Sequence, residues 1–166
     1  GLGSLIMGGL YAPTVVTGIH QMYTAIDIGQ LAKYGVTYWL PLASAANVAQ
    51  GAAALAVGIK SKDQKVKSLA LPSSLSAFMG ITEPAIFGVN LKYGFPFICG
   101  MIGSAISAAV CVMTSTTANA VGVGGIPGIL SIQPKYMGSF AICMVIAFVI
   151  PMTLTFIVGK KKLSMA

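Results

Sequence analysis

One carboxylate in this chain stands where a carboxylate is costly. Glu83 lies in GITEPAIFGVNLK, flanked by Thr82 and Pro84, with apolar residues on both sides. An ionised acid among apolar groups needs a compensating partner. A carboxylate is an acceptor with two oxygens, so it can take hydrogen bonds from two neighbouring hydroxyls of a ligand. His20, the single histidine, follows VVTG in TGIHQMYTAID. Its imidazole can donate to or accept from a hydroxyl near neutral pH. Asp27 is seven residues on and would share His20's side of the chain if the stretch is helical. These residues, with Thr82, are the candidate site. Each also has a plainer reading. Glu83 could cap a helix end or pair with a lysine, His20 could be a satisfied structural group, and Asp27 could orient the site or lie at an interface.

The elements that must hold these groups are set by composition. Of 166 residues, 56% are hydrophobic and only 8% charged. Soluble domains carry about 25% charged residues, so this chain could not cover a water-facing surface. Mean hydropathy is +0.87. The reading is an all-α polytopic, multi-pass membrane protein, forming one domain without a linker or repeat. In that setting an acid at the bilayer centre costs roughly 2.5–3.5 kcal/mol and is functional by default.

The net charge of +7 comes from lysine alone. Lys60, Lys62, Lys65 and Lys67 form one cluster, and Lys160, Lys161 and Lys162 another after a long apolar run. That is the pattern of positive loops on the cytoplasmic side, not a nucleic-acid surface with arginine for bidentate base contacts. Cys99, Cys111 and Cys143 sit in apolar runs without CxxC spacing and read as small buried hydrophobes. No Walker A loop, HExxH or dinucleotide fingerprint is present, so no metal or cofactor is expected. The opening GLGSLIMGGLYAP has no basic n-region and does not read as a signal peptide. It reads as the continuation of a longer chain.

Three segments are long and apolar enough to span, at about 20 residues each: Leu40 to Ile59, Phe95 to Met113, and Gly138 to Gly159. Ala45, Ala49 and Ala53 in the first, and Gly100, Ser104 and Ala108 in the second, repeat every fourth residue. That spacing lets helix backbones approach closely. Pro151 is expected to kink the third. Asn47 and Gln50 share a face of the first span and read as interhelical hydrogen-bonding groups. Tyr38 and Trp39 read as an interfacial belt, and Asp63 as a solvated loop charge. Between the spans lie apolar segments broken by Gly and Pro, containing Pro13 and Gly18, then Pro72, Gly80 and Pro84, then a glycine-rich run after Thr114. Irregular backbone at membrane depth is tolerated where protein buries it or where it lines a cavity. These are therefore candidate re-entrant hairpins and discontinuous helices, where transporters build substrate sites. Placing both lysine clusters on the cytoplasmic side requires 68–91 to dip in and return, which brings Lys92 to the same side.

The two motifs also match a family. GITEPAIFGVNLK resembles the signature of the sugar-translocating IIC component of the bacterial phosphoenolpyruvate-dependent phosphotransferase system, glucose superfamily, and TGIHQMYTAID resembles its histidine motif. The stretch from LPLASAANVAQ through GVNLK is most similar to the sucrose-specific branch. The resemblance covers nearly the whole chain and implies the C-terminal, sugar-binding part of a IIC domain over 1–166, without a IIA or IIB domain. It implies that Glu83 and His20 contact the sugar, with Glu83 helping to activate the hydroxyl that accepts the phosphoryl group. Thr82 and Asp27 are expected to complete the sugar site. The implied partners are sucrose first, with trehalose or a β-glucoside behind it, a phosphorylated IIB domain that carries the donor, and a second copy of the full-length protein. Many relatives read TGxHH where this chain has Gln21 in place of the second histidine. Two other classes use similar elements. One is an ion-coupled sugar carrier with Glu83 as a proton site, and the other is an inactive truncated permease fragment.

Overall fold

A computed structural model of the chain describes residues 2–162; the side chains of Lys161 and Lys162, in the second lysine cluster, lie outside that description, as do residues 1 and 163–166. The chain folds as helices, and among the described residues β pairing is confined to two isolated bridges, Thr37 with Ala118 and Ala118 with Ile132. Helix α1 (Leu2–Val16) is followed by a 3₁₀ turn, Ile19–Met22, and α2 (Tyr23–Tyr34). Then come α3 (Trp39–Lys60) and α4 (Gln64–Phe78). A short bulged helix, α5, covers 83–93, with a π turn at Ile86–Asn90. The chain closes with α6 (Phe95–Met113) and α7 (Met137–Lys162).

Three helices are long and apolar enough to cross a membrane, over Trp39–Lys60, Phe95–Met113 and Pro134–Lys160. They coincide with the three spans expected from composition, and the protein is a multi-pass membrane protein. Helix α7 runs on through Pro151.

Helix α3 is the centre, packed by α1, α4, α6 and α7. Its Ala45, Ala49 and Ala53 are fully buried. On α6, a Cβ added to Gly8 of α1 would overlap Ala108, and Ser104 Oγ donates to the Gly8 carbonyl at 2.6 Å. The small residues thus do what their spacing predicts, bringing backbones close enough for side chain to main chain bonding across helices. Gln50 acts as the expected interhelical group: Asn90 Nδ2 donates to its Oε1 at 2.7 Å, and its own Nε2 donates to the Phe97 carbonyl at 3.3 Å.

The broken segments take the forms expected of them. Helix α1 ends at Gly18, whose φ of 77° lies in the left-handed region that glycine enters without steric cost. The chain then turns, leaving the two helical halves bent by 118°. Residues 68–91 form most of a hairpin, with part of each leg and its tip. Helix α4 runs in, the chain reverses around Gly80, and α5 runs back. The return is visible at the open end of the hairpin, where Lys65 and Lys92 line one pocket. Asp63 is exposed, as expected of a loop charge, but its carboxylate also caps α4 by accepting from Lys65 N at 2.8 Å.

Candidate functional site

The bend after Gly18 and the tip of the hairpin bring the two motifs together. His20 sits in the 3₁₀ turn and Glu83 on the first turn of the returning leg. His20 Nε2 and Glu83 Oε1 are 3.7 Å apart. That is too long for a direct hydrogen bond. It is short enough for one ligand hydroxyl to bond both, at about 2.8 Å from each. The glutamate side chain is 46% exposed and the histidine 18%, so the pair is open on the glutamate side. The Gln21 amide lies 3.2 Å from His20 Nε2. His20 Nδ1 is buried and has no partner.

Beside the pair is a cleft of about 160 Å³, reached by His20, Gln21 and Asp27 from the bent segment and by Asn47 from α3. Gly80 of the hairpin tip and Gly122 and Gly124 of the loop after α6 close it. Those backbones nearly touch. A Cβ on Gly80 would lie 2.8 Å from the Gly124 carbonyl oxygen, and its φ of 99° is again left-handed. Asn47 Nδ2, about two turns into α3, reaches the Gly80 carbonyl at 3.4 Å. Asn47 therefore faces the cleft as well as the hairpin, a double placement that its position on a helix face did not disclose.

An aromatic wall stands on another side. Tyr23 and Trp39 have ring centroids 4.3 Å apart, and Tyr11 lies 5.6 Å from Tyr23. Tyr38 is exposed, whereas Trp39 belongs to the cleft wall and not only to a belt. Its indole Nε1 is buried without a partner. A tryptophan at the start of an apolar run reads the same in either role. What distinguishes them is contact with α1 and α2, which local sequence does not carry.

Asp27 lines the cleft but is already engaged. Its Oδ1 accepts from the Thr37 hydroxyl, and its carboxylate also takes the Leu40 backbone N–H. Thr37 Oγ1 in turn accepts from Trp39 N at 3.1 Å, and Gln30 Oε1 accepts from Tyr38 N at 2.9 Å. Asp27, Thr37 and Gln30 thus share the orphan N–H groups at the start of α3, and together they fix the turn that carries Trp39. Thr82 is buried under the hairpin turn, where its carbonyl accepts from Ile86 N at 2.9 Å. Neither Thr82 nor Glu83 lines the cleft itself; Glu83 reaches its edge through His20. Among the described residues, no three His, Cys, Asp or Glu gather as a metal site.

Comparison with known proteins agrees with the motifs. The family described as "Phosphotransferase system, EIIC" matches residues 1–104. The chain belongs to that family. Among EIIC-containing relatives, it is 44% identical over 161 residues to the "PTS system trehalose-specific EIIBC component" of Escherichia coli (strain K12), covering 97% of this chain and 34% of the relative. It is 46% identical over 163 residues to the "PTS system sucrose-specific EIIBC component" of Pasteurella multocida (strain Pm70), covering 96% and 34%. With the sucrose-specific EIIBC component of Bacillus subtilis (strain 168) it shares 48% over 155 residues, covering 89% and 34%. This EIIC chain spans about a third of the length of these curated relatives. No solved structure matches it.

Proposed function

We propose that this chain is the C-terminal, sugar-binding part of an EIIC permease in the bacterial cytoplasmic membrane. It receives a disaccharide, sucrose first, and moves it inward for phosphorylation by a partner IIB domain. The observation that carries the reading is the meeting of His20 and Glu83 at 3.7 Å from two distant motifs, beside a cleft that the bent segment, the hairpin tip and the glycine loop all reach. Glu83 accepts from sugar hydroxyls, and His20 bonds the same or a neighbouring one. Trp39 offers an apolar ring to the cleft, suited to the apolar face of a sugar ring. Asp27 positions this wall through Thr37 and α3. Thr82 holds the turn that presents Glu83.

A cleft of about 160 Å³ is below the usual ~300 Å³ lower bound for ligand pockets. In this conformation it suits one ring of a disaccharide. Relatives named for sucrose and for trehalose both resemble the chain closely, and sucrose and trehalose share a glucosyl ring. Sucrose remains the first choice on the resemblance of the segment from Leu40 to Lys92. Once the sugar is presented, Glu83 is placed to draw the proton from the accepting hydroxyl. The donor phosphoryl group comes from IIB, and the full-length protein works as a dimer.

The test is titration of sucrose, trehalose and a β-glucoside into the purified protein and its Glu83→Gln variant. Sucrose should bind, and the variant should lose about 1.5–3 kcal/mol, the scale of a hydrogen bond to a charged group. Equal affinity in both proteins would overturn the assignment of Glu83. Uptake in vesicles should require phosphoenolpyruvate. Uptake driven by a proton gradient alone would instead favour an ion-coupled carrier.

A further inference from the structure

A second polar pocket lies at the open end of the hairpin, away from His20 and Glu83. It has a volume of about 230 Å³. Lys65, on the first turn of α4, and Lys92, near the end of α5, stand at its mouth, and both are exposed. Among the described residues neither lysine is within ion-pair distance of a carboxylate; the pair found is His20 with Glu83. Asp63 is at the rim, and one of its oxygens is taken by Lys65 N. The three charges therefore sum to +1, and the Lys92 ammonium lies over the ring of Tyr93, another lining residue, 6.0 Å from its centroid.

The inner wall is of opposite character. Val66 and Val89 line it, and Val89 is 1% exposed. Leu69, also lining, is 45% exposed. Gly88 opens the space between the legs: a Cβ there would stand 3.6 Å from the Leu69 side chain. The site is thus cationic at its mouth and apolar along its length.

Its depth follows from α3. That span ends at Lys60, just before Asp63, so the pocket lies at the level where a spanning helix leaves the hydrocarbon and meets headgroups. Basic pockets between membrane helices at this level suit anionic headgroups. A free phosphate would use the lysines and leave the apolar wall unfilled.

We infer that the pocket between the legs of the hairpin binds an anionic phospholipid, with its phosphate between Lys65 and Lys92 and an acyl chain along Leu69. The lipid then ties the two legs together at the end opposite Glu83. This inference does not depend on the sugar assignment.

The experiment is native mass spectrometry of the detergent-purified protein titrated with phosphatidylglycerol, with phosphatidylcholine, and with inorganic phosphate. Three proteins are compared: wild type, Lys65→Gln/Lys92→Gln, and a charge-matched control, Lys33→Gln/Lys135→Gln. All four lysines are exposed, so each variant should fold. Wild type should retain phosphatidylglycerol in preference to phosphatidylcholine. The pocket variant should bind it roughly thirtyfold more weakly, the scale of two lysines at an anionic surface, and the control should bind as wild type. Equal losses in both variants would mean diffuse charge attraction and overturn the site. Lack of preference between the two lipids would do the same. Phosphate alone binding in a Lys65- and Lys92-dependent way, without phosphatidylglycerol binding, would assign the pocket to a soluble anion and overturn the lipid.

Discussion

Helix α3 and the last span invert the rule of soluble proteins. The central window of α3 is 89% buried inside the chain, that of the last span only 28%. Yet α3 is built of alanine, glycine and polar residues such as Ser44, Asn47 and Gln50, while α7 exposes Ile142, Val145, Val149 and Ile157. In a bilayer there is no hydrophobic gain in hiding leucine from lipid tails, and helices associate through close packing and hydrogen bonds. The centre therefore goes to the helix that neighbours can approach most closely. The rim goes to the one that suits lipid best. The same logic places the polar groups: those on α3 have somewhere to point, because broken helices meet it with free backbone and side-chain partners.

The contrast can be broken most sharply at Ala53, which is fully buried. Ala53→Leu should destabilise the detergent-solubilised protein by about 1–3 kcal/mol through overpacking, read as a lower thermal midpoint. Val149→Ala, on the exposed side of α7, should stay within ~0.5 kcal/mol. Equal losses would mean that α7 is as tightly enclosed as α3.

A smaller effect sharpens the role of the acid on α2. Asp27→Ala removes the acceptor of Thr37 Oγ1 and Leu40 N and should cost about 1–2 kcal/mol of stability, the upper range for losing a helix cap. Sugar affinity should fall with it, since Trp39 loses its support. A variant of unchanged stability that binds no sugar would make Asp27 a direct ligand instead.

The smallest effect belongs to Trp39→Phe. It keeps a ring in the wall and deletes the unpartnered Nε1–H. The smaller ring covers less of the wall, so sucrose affinity should drop by about 0.5–1.5 kcal/mol, with thermal stability unchanged. A loss of stability without a change in affinity would return Trp39 to a structural place.

Much of this architecture was legible in one dimension. The spans announce themselves because a bilayer demands about 20 apolar residues in a row. The hairpin could be deduced from the side on which lysines must fall, and Lys65 and Lys92 do share one end. Glu83 stood out because a charge in an apolar run has to be explained, and His20 because its motif resembles that of a family. Other features were hidden because they exist only between distant segments. Nothing near Trp39 in sequence says that Tyr11 and Tyr23 will close against it. Nothing near Asp27 says that its partners are Thr37 and Leu40, beyond a turn. The floor of the cleft comes from Gly122 and Gly124, in a stretch that reads only as irregular.

The approach of Gly80 to Gly124 has a mechanical consequence. Where two segments meet through main chain alone, no side chains mesh like teeth, so the seam is smooth. The tip that carries Glu83 can slide along or lift from the glycine loop without unthreading anything, with the Asn47 amide as its clasp. A bulky residue at either glycine would turn that bearing into a wedge.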